Sequence, residues 1–394
     1  MRWTILLILA SGCGFHSNAV VTDGGPIFTD GPDHPSVDVA IAEVDAPSNT
    51  SVDAAIDAAI DGALASCFGQ FVTVCLPPVL PDLSLAKSGV IDTDQDSRCV
   101  MQGQGPGAPV LCVLAGMDVE VDAAIAVIGS HPLVVAAIRD LRITANGSLS
   151  LTSGRDALPG AGANDPLCGS AAAGVNGTTG AGGGAGGSFG GSGGVGGAGA
   201  TAAGTPGTPF GALTRVVGGC AGSRGGDVGA ATGGAPGNGG GGLVLLAGRT
   251  LTLDGFVTAG GGGGATASGE AAGGGGGGSG GFVALDAVAY EITGLIAANG
   301  GGGGSGAGVL APGASGGDGI ASAIVAASGG VGGEPPVAGG AGGRGSLGVE
   351  RDGDVGRSTA AGGGGGGGGA GLIVIEAATL PSGGTYSPQP MLLP

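Results

Sequence analysis

The sequence predicts an all-β fold, a parallel β-helix whose coils are interrupted by long glycine-rich insertions. Short apolar strands recur in copies of about twenty residues, at 243–259 and again at 282–298, as in repeat proteins whose units cannot bury an apolar face alone. A turn signal divides the second and third strands of three copies, at Asn146-Gly147, Asp254-Gly255 and Thr293-Gly294. Each glycine tract begins after the third strand of a copy and ends before the first strand of the next copy, which places the tracts at one corner of the predicted β-helix.

The second strand of each copy alternates apolar and polar residues, and this alternation assigns its two faces. The inward residues are predicted to be Val119, Val121, Leu141, Ile143, Leu251 and Leu253. The outward residues are predicted to be Glu120, Arg142, Thr252 and Glu291. Stacking would align them in a ladder about 4.8 Å apart and would place Leu133, Leu243 and Phe282 in one apolar column. An antiparallel sandwich of the same strands is the alternative.

The glycine tracts cover residues 155–242, 262–281 and 299–371. Glycine loses more conformational freedom on folding than any other residue, so flexible loops are expected for most of this sequence. Residues 183–197 place most non-glycine side chains at every third position, which suits a bundle of extended, polyproline-II-like helices with three residues per turn. An ordered, polyglycine-II-like bundle is therefore the alternative for the first tract.

Composition excludes several classes of partner. The chain has 394 residues and 100 glycines, and its 30 acidic residues against 12 basic ones give a net charge of -18. Such a surface repels phosphates, which argues against nucleic acid and against anionic lipid headgroups.

The N-terminus predicts export. Residues 1–12 combine Arg2 with a short apolar run, which is typical of a signal peptide and too short for a membrane span. The sequence Ala10-Ser11-Gly12-Cys13 resembles a bacterial lipobox, and this resemblance implies that Cys13 is lipidated. Gly14 follows the cysteine, which by resemblance to enterobacterial lipoproteins implies the outer membrane. Ordinary signal cleavage, giving a soluble secreted protein, is the alternative.

The remaining chain divides by composition. Residues 13–65 hold the lipidation site and scattered aspartates among Ala, Pro and Ser, which predicts a disordered acidic spacer. A four-residue period at 53–61 could form a short helix, but it would stack like charges. Residues 66–154 are predicted to form a cysteine-containing β region with the first coils, residues 155–242 a glycine-rich insertion, and residues 243–394 further coils with insertions.

The Gly-Gly-X arrays resemble those of PE-PGRS proteins, although the PE module is missing. Together with the lipobox and the Asp/Ala spacer, they make the chain similar to glycine-rich surface lipoproteins of Gram-negative bacteria. The resemblance implies location and architecture more than chemistry. It favours a structural or adhesive display role without catalysis or cofactor, with the outer membrane and a polysaccharide or protein of the cell surface as partners.

Seven cysteines are present, and lipidation of Cys13 would leave six for disulfides in an oxidising compartment. Six cysteines allow fifteen pairings, so the connectivity stays open. They are Cys67, Cys75, Cys99, Cys112, Cys168 and Cys220.

Two features suggest chemistry. Asp92, Asp94 and Asp96 alternate as in the start of an EF-hand loop, but Ser97 and Gly103 replace the later glycine and glutamate, so they predict weak calcium binding at best.

The second feature is the acidic run Asp118, Glu120 and Asp122, which could carry a polysaccharide lyase or hydrolase activity. Arg142 would be the base on that face, and Tyr290, Phe256 and Phe282 are the aromatic residues of the coils. Such an enzyme, or a carbohydrate- or ice-binding module, is the alternative function.

Overall fold

The structure is a computed structural model that describes residues 66–210 and 213–394. The predicted signal peptide, Cys13 and the acidic spacer lie outside these residues. The described residues form strands and no helix. The strands are β1 Ser66–Phe68, β2 Val74–Leu76, β3 Leu83–Leu85, β4 Gly89–Asp92, β5 Val100–Gln102, β6 Leu111–Gly116, β7 Val119–Val121, β8 Ala124–Ile128, β9 Leu133–Ala137, β10 Leu141–Ile143, β11 Ser148–Ser150, β12 Gly242–Leu253, β13 Phe256–Thr258, β14 Phe282–Ile292, β15 Leu295–Ala297, β16 Leu372–Glu376, β17 Thr385–Ser387 and β18 Met391–Leu393.

The larger sheet has ten strands, with the central order β18-β16-β14-β12-β10-β7-β3. The first half of β12 pairs in parallel with β9, with Leu243 beside Leu133. Its second half pairs in parallel with β10, with Leu251 beside Leu141. Strands β6 and β5 extend the sheet beyond β9, and β5 pairs antiparallel to β6.

The smaller sheet has six parallel strands in the order β17-β15-β13-β11-β8-β4. Its inward side chains, such as Leu149 and Val257, meet those of the larger sheet in the main apolar core. The predicted inward residues of the alternating strands are all buried in this core. The alternation of apolar and polar residues was therefore a sound guide to which side of each strand is buried.

A second apolar cluster covers the opposite side of the larger sheet. Phe282 and Val244 project into it and meet Phe189 and Val216 of the first glycine tract. The β1–β2 hairpin, residues 66–76, adds Val74 from the N-terminal side. Strands β6, β9, β12, β14 and β16 are thus covered on both faces, which explains their nearly continuous apolar sequences.

The predicted parallel β-helix is wrong. The sheets contain antiparallel pairs, β1–β2 and β5–β6, beside their parallel ones, and they curl only in part. The copies at 243 and 282 do not contain three separate strands, because their first two strands are joined in β12 and β14. The break at Gly248-Arg249, which resembles a turn in the sequence, is a register shift between Ala247 and Thr250. The fold is an all-strand, sheet-rich arrangement in which parallel pairs predominate.

The glycine tracts run from β11 to β12, from β13 to β14 and from β15 to β16, and the expectation that most of them are flexible loops is wrong. Their described residues pack into what we call the glycine body, in which backbone groups of distant segments bond to one another. Gly184 N donates to Gly274 O, Gly274 N donates to Gly363 O, and Gly366 N donates back to Gly184 O, with N···O distances of 2.9 Å for all three.

Residues 362–370 lie at the centre of the glycine body, and each of them both donates and accepts a backbone hydrogen bond. Their N–H groups donate in turn to segments 301–307, 181–187 and 351–357, and their carbonyls accept from segments 274–280, 340–346 and 190–197. Each partner recurs at every third residue, the period of an extended helix that forms no hydrogen bonds within itself. Such segments satisfy their buried backbone groups only by packing together.

Close approach of the backbones explains the glycine content. A Cβ added at Gly365 would lie 1.9 Å from Gly275 O, and one added at Gly276 would lie 1.8 Å from Ala185 O. Backbone atoms of neighbouring segments occupy the volume that a side chain would need. The long glycine runs are therefore required by packing in the body.

Three disulfides join Cys67 to Cys75, Cys99 to Cys112 and Cys168 to Cys220. The structure thus resolves the connectivity that the sequence left open. Disulfides persist in oxidising compartments, so the protein belongs in an extracellular or periplasmic setting. None of the described residues belongs to a helix that could span a bilayer.

Candidate functional site

The charged row predicted on the larger sheet exists. Glu120, Arg142 and Thr252 lie side by side on β7, β10 and β12, and Thr252 is followed by Glu291 on β14. Thr252 Oγ1 donates to Glu291 Oε2 at 3.3 Å, and Arg142 lies 3.7 Å from Asp254. Solvent reaches this row, since Glu120, Arg142 and Glu291 are all exposed.

The neighbouring carboxylates are occupied by local partners. Asp118 accepts two hydrogen bonds from the Arg139 guanidinium, which lowers the pKa of that carboxyl below its usual value. Asp122 accepts from Thr144 Oγ1. Asp118 and Asp122 thus have separate local partners, one an arginine and the other a threonine.

The aspartates of the calcium hypothesis also have separate partners. Asp94 accepts from Ser130 Oγ at 2.5 Å, and this hydrogen bond lowers the pKa of Asp94. Asp96 pairs with Arg98 at 2.6 Å, which lowers its pKa too, while Asp92 accepts from the Gln95 amide at 2.8 Å.

Over residues 66–210 and 213–394 no group of three or more His, Cys, Asp or Glu side chains is arranged to hold a metal ion. Calcium binding at Asp92, Asp94 and Asp96 stays a prediction from the sequence.

The outward side of the smaller sheet carries a different chemistry, which the sequence analysis missed. Register places one row of side chains along Ala124, Ser148 and Phe256 and a second along Ala126, Ser150 and Thr258. We call these six residues the neutral face. Small residues in strict alternation with buried aliphatic ones were the available signal.

Phe256 differs from the other aromatic side chains of these strands. Its side chain is 49% exposed. Phe282 is fully buried and packs on Phe71 with ring centroids 5.1 Å apart. Tyr290 is half-buried, and burial raises its pKa to about 12. Of these three residues, Phe256 therefore offers the accessible aromatic surface.

A hydroxyl chain runs across the neutral face. Gly260 N donates to Thr152 Oγ1 at 3.1 Å, Thr152 Oγ1 donates to Thr258 Oγ1 at 3.2 Å, and Thr258 Oγ1 donates to Ser150 Oγ at 3.1 Å. Each hydroxyl has one proton to give, so the chain ends at Ser150. Within the described part of the protein the Ser150 hydroxyl has no acceptor.

The glycine body exposes apolar side chains along residues 309–338, which we call the outer apolar segment. Leu310, Ile324 and Val331 are 72%, 87% and 74% exposed. Asp318 and Glu334 are the charged residues of this segment. Exposed apolar groups collected in one segment are typical of contact surfaces.

No protein-family model, no curated protein and no solved structure matches this chain.

Proposed function

We propose that this protein is an exported, outer-membrane-anchored surface protein with a structural or adhesive display role and no catalytic activity. The glycine body is the observation that carries the proposal. Its segments are fixed to one another by backbone hydrogen bonds and leave no room for side chains between them. A body built in this way is stiff, and stiffness suits the display of a surface better than a reaction that requires moving loops.

The disulfides support the same role. Cys168–Cys220 lies within the first glycine tract, and Cys67–Cys75 closes the hairpin that follows the predicted spacer. Cross-links at these places help a protein to keep its fold outside the cell. The outer apolar segment of the glycine body and the neutral face of the smaller sheet are the surfaces that the protein would present to a partner.

Anchoring is proposed to occur through Cys13, because several acyl chains together hold a protein on a membrane. The test is expression of the full chain in a Gram-negative host, followed by membrane fractionation. The wild-type protein is expected in the outer-membrane fraction and the Cys13→Ser variant in the soluble fractions. Ser11→Ala, which keeps the cysteine, is the matched control. Equal fractionation of wild type and Cys13→Ser would contradict anchoring.

Adhesion is tested with the same strains. Cells that carry the wild-type protein are expected to attach to a polysaccharide-coated surface better than cells that carry Cys13→Ser. Deleting residues 155–242 is not a suitable test. These residues contribute Phe189 and Val216 to a buried cluster, so the deletion would disrupt the fold. Equal attachment of both strains would overturn the adhesive role.

A further inference from the structure

The neutral face lacks charge in a strongly acidic protein. Its residues are alanine, serine, threonine and one phenylalanine, although the chain carries a net charge of -18. The corresponding row on the larger sheet carries Glu120, Arg142 and Glu291. Asp92, at the end of β4, borders the neutral face. The two sheets thus present surfaces of opposite character to solvent.

We propose that the neutral face binds an uncharged polysaccharide chain, with a sugar ring lying on Phe256. This inference rests on the proposed adhesive role, since it names the partner. Sugar rings present C–H groups on one side and hydroxyls around the edge. An exposed aromatic ring accepts the C–H side as an apolar surface, and neighbouring hydroxyls hydrogen-bond the edge.

The open part of the face has the shape for such a ligand. Ala124, Ala126, Ser148 and Ser150 are small, so Phe256 stands above its neighbours on the β11 side. On the other side its neighbour is the half-buried Leu295 of β15. Strands lie about 4.8 Å apart, so a polysaccharide chain that crosses them meets the next side chain of the same row at each strand. Beyond β13 the row of Thr258 closes, because Ala297 and Ser387 are buried and Ser387 Oγ accepts from Gly348 N at 2.8 Å. The row of Phe256 continues to Leu295 and to the exposed Thr385.

The last hydroxyl of the chain, on Ser150, is free to donate to a bound ligand. Thr258 already donates to Ser150, so the Ser150 hydroxyl is left to donate outward, and a chain of hydroxyls strengthens its last donor. A sugar hydroxyl can accept this proton. An anionic polysaccharide is disfavoured, because the chain as a whole repels negative charge.

The test uses the full chain with Cys13→Ser, so that the protein stays in solution. Calorimetric titration with cellohexaose, chitohexaose and maltohexaose is expected to show binding of at least one, whereas an oligogalacturonate of equal length is expected to show none. Phe256→Ala is expected to weaken the binding at least tenfold, and Ser150→Ala several-fold. Val288→Ala, at an 84% exposed site on the larger sheet, is the control.

Several outcomes would overturn the proposal. They are no binding of any neutral hexasaccharide, binding unchanged by Phe256→Ala, or preferred binding of the oligogalacturonate. Sedimentation checks the other occupant: a dimer lost in Phe256→Ala would assign the face to a second copy. Circular dichroism confirms that each variant is folded. If cells attach but no glycan binds, only this proposal is wrong. If the glycan binds but Cys13 does not affect attachment, the adhesive role is wrong.

Discussion

Asp286 on β14 accepts a hydrogen bond from the backbone N–H of Gln70 at 2.6 Å, although 216 residues separate them in the chain. The same carboxylate oxygen accepts from Phe71 N at 3.3 Å. Asp286 is buried. The Phe71 ring lies against Phe282, which is on the same strand as Asp286 and the same side of it. A buried carboxylate and an aromatic contact therefore add to the packing of Val74 in holding the β1–β2 hairpin on the larger sheet.

Replacing this carboxylate is expected to loosen the hairpin. Asp286→Ala removes the charged acceptor of two backbone donors, and a hydrogen bond to a charged group contributes about 1.5–3 kcal/mol. Denaturant unfolding should show a loss of this size, and hydrogen exchange should show faster exchange at Gln70 and Phe71. Asp156→Ala, at an exposed side chain, is the control. An unchanged unfolding midpoint in Asp286→Ala would contradict this account of the hairpin.

Glu376 is expected to destabilise the protein at neutral pH. It lies beside Asp286 on β16, and burial together with the Asp286 charge raises its pKa. A carboxyl with a raised folded-state pKa is penalised once pH exceeds its ordinary value of about 4.3, so the penalty is absent in acid and complete above the folded-state pKa.

Glu376→Gln should therefore unfold at a higher temperature than the wild type at pH 7. The difference should vanish below about pH 4, where the wild-type carboxyl is protonated too. Thermal unfolding monitored by circular dichroism from pH 3 to pH 8 measures it. Glu291→Gln, on the exposed charged row, is the control. A difference between wild type and Glu376→Gln that grows in acid would show the opposite linkage.

A methyl group in the glycine body is expected to be severely destabilising. In Gly365→Ala the new Cβ would lie 1.9 Å from Gly275 O, and the neighbouring backbone is fixed by its own hydrogen bonds. Overpacking of this kind costs on the order of 3 kcal/mol or more. Gly103→Ala is the matched control, because its Cβ would meet nothing within 4 Å. Equal thermal stability of the two variants would contradict the packing of the body.

The disulfides are expected to differ in their contribution to stability. Cys168–Cys220 closes a separation of 52 residues and Cys67–Cys75 one of 8. In the chain-entropy view these correspond to about 4 and about 2.5 kcal/mol. Paired Cys→Ser variants of each bridge, compared by urea unfolding, should follow this order. A larger loss on removing Cys67–Cys75 would mean that packing around the hairpin outweighs chain entropy.

Side-chain patterns predicted which face of the short strands is buried. Leu141 and Ile143 are inside and Arg142 is outside, and Leu133 lies beside Leu243, as expected. Phe282 was placed wrongly in this column: it pairs with Gly242, and Val283 lies beside Leu243. Since neighbouring residues on a strand face opposite sides, this one-residue error placed Phe282 in the wrong apolar cluster.

The glycine body could not be predicted in the same way. A glycine has no side chain to show which side faces inward, so periodicity carries little information there. Gly184, Gly274 and Gly363 are joined in space but lie about ninety residues apart along the chain. The sequence did not reveal the neutral face, because serine and alanine occur on covered and on exposed surfaces alike. Only the exposed position of Phe256 marks this face as open.

The central position of residues 362–370 constrains when the glycine body can fold during synthesis and export. The hydrogen-bond partners of this segment span residues 181 to 357, all of which are synthesised earlier. The earlier segments cannot complete their backbone pairing until almost the whole chain has been exported. The chain would thus stay unfolded enough for translocation during secretion and become rigid only after residues 362–370 have been exported.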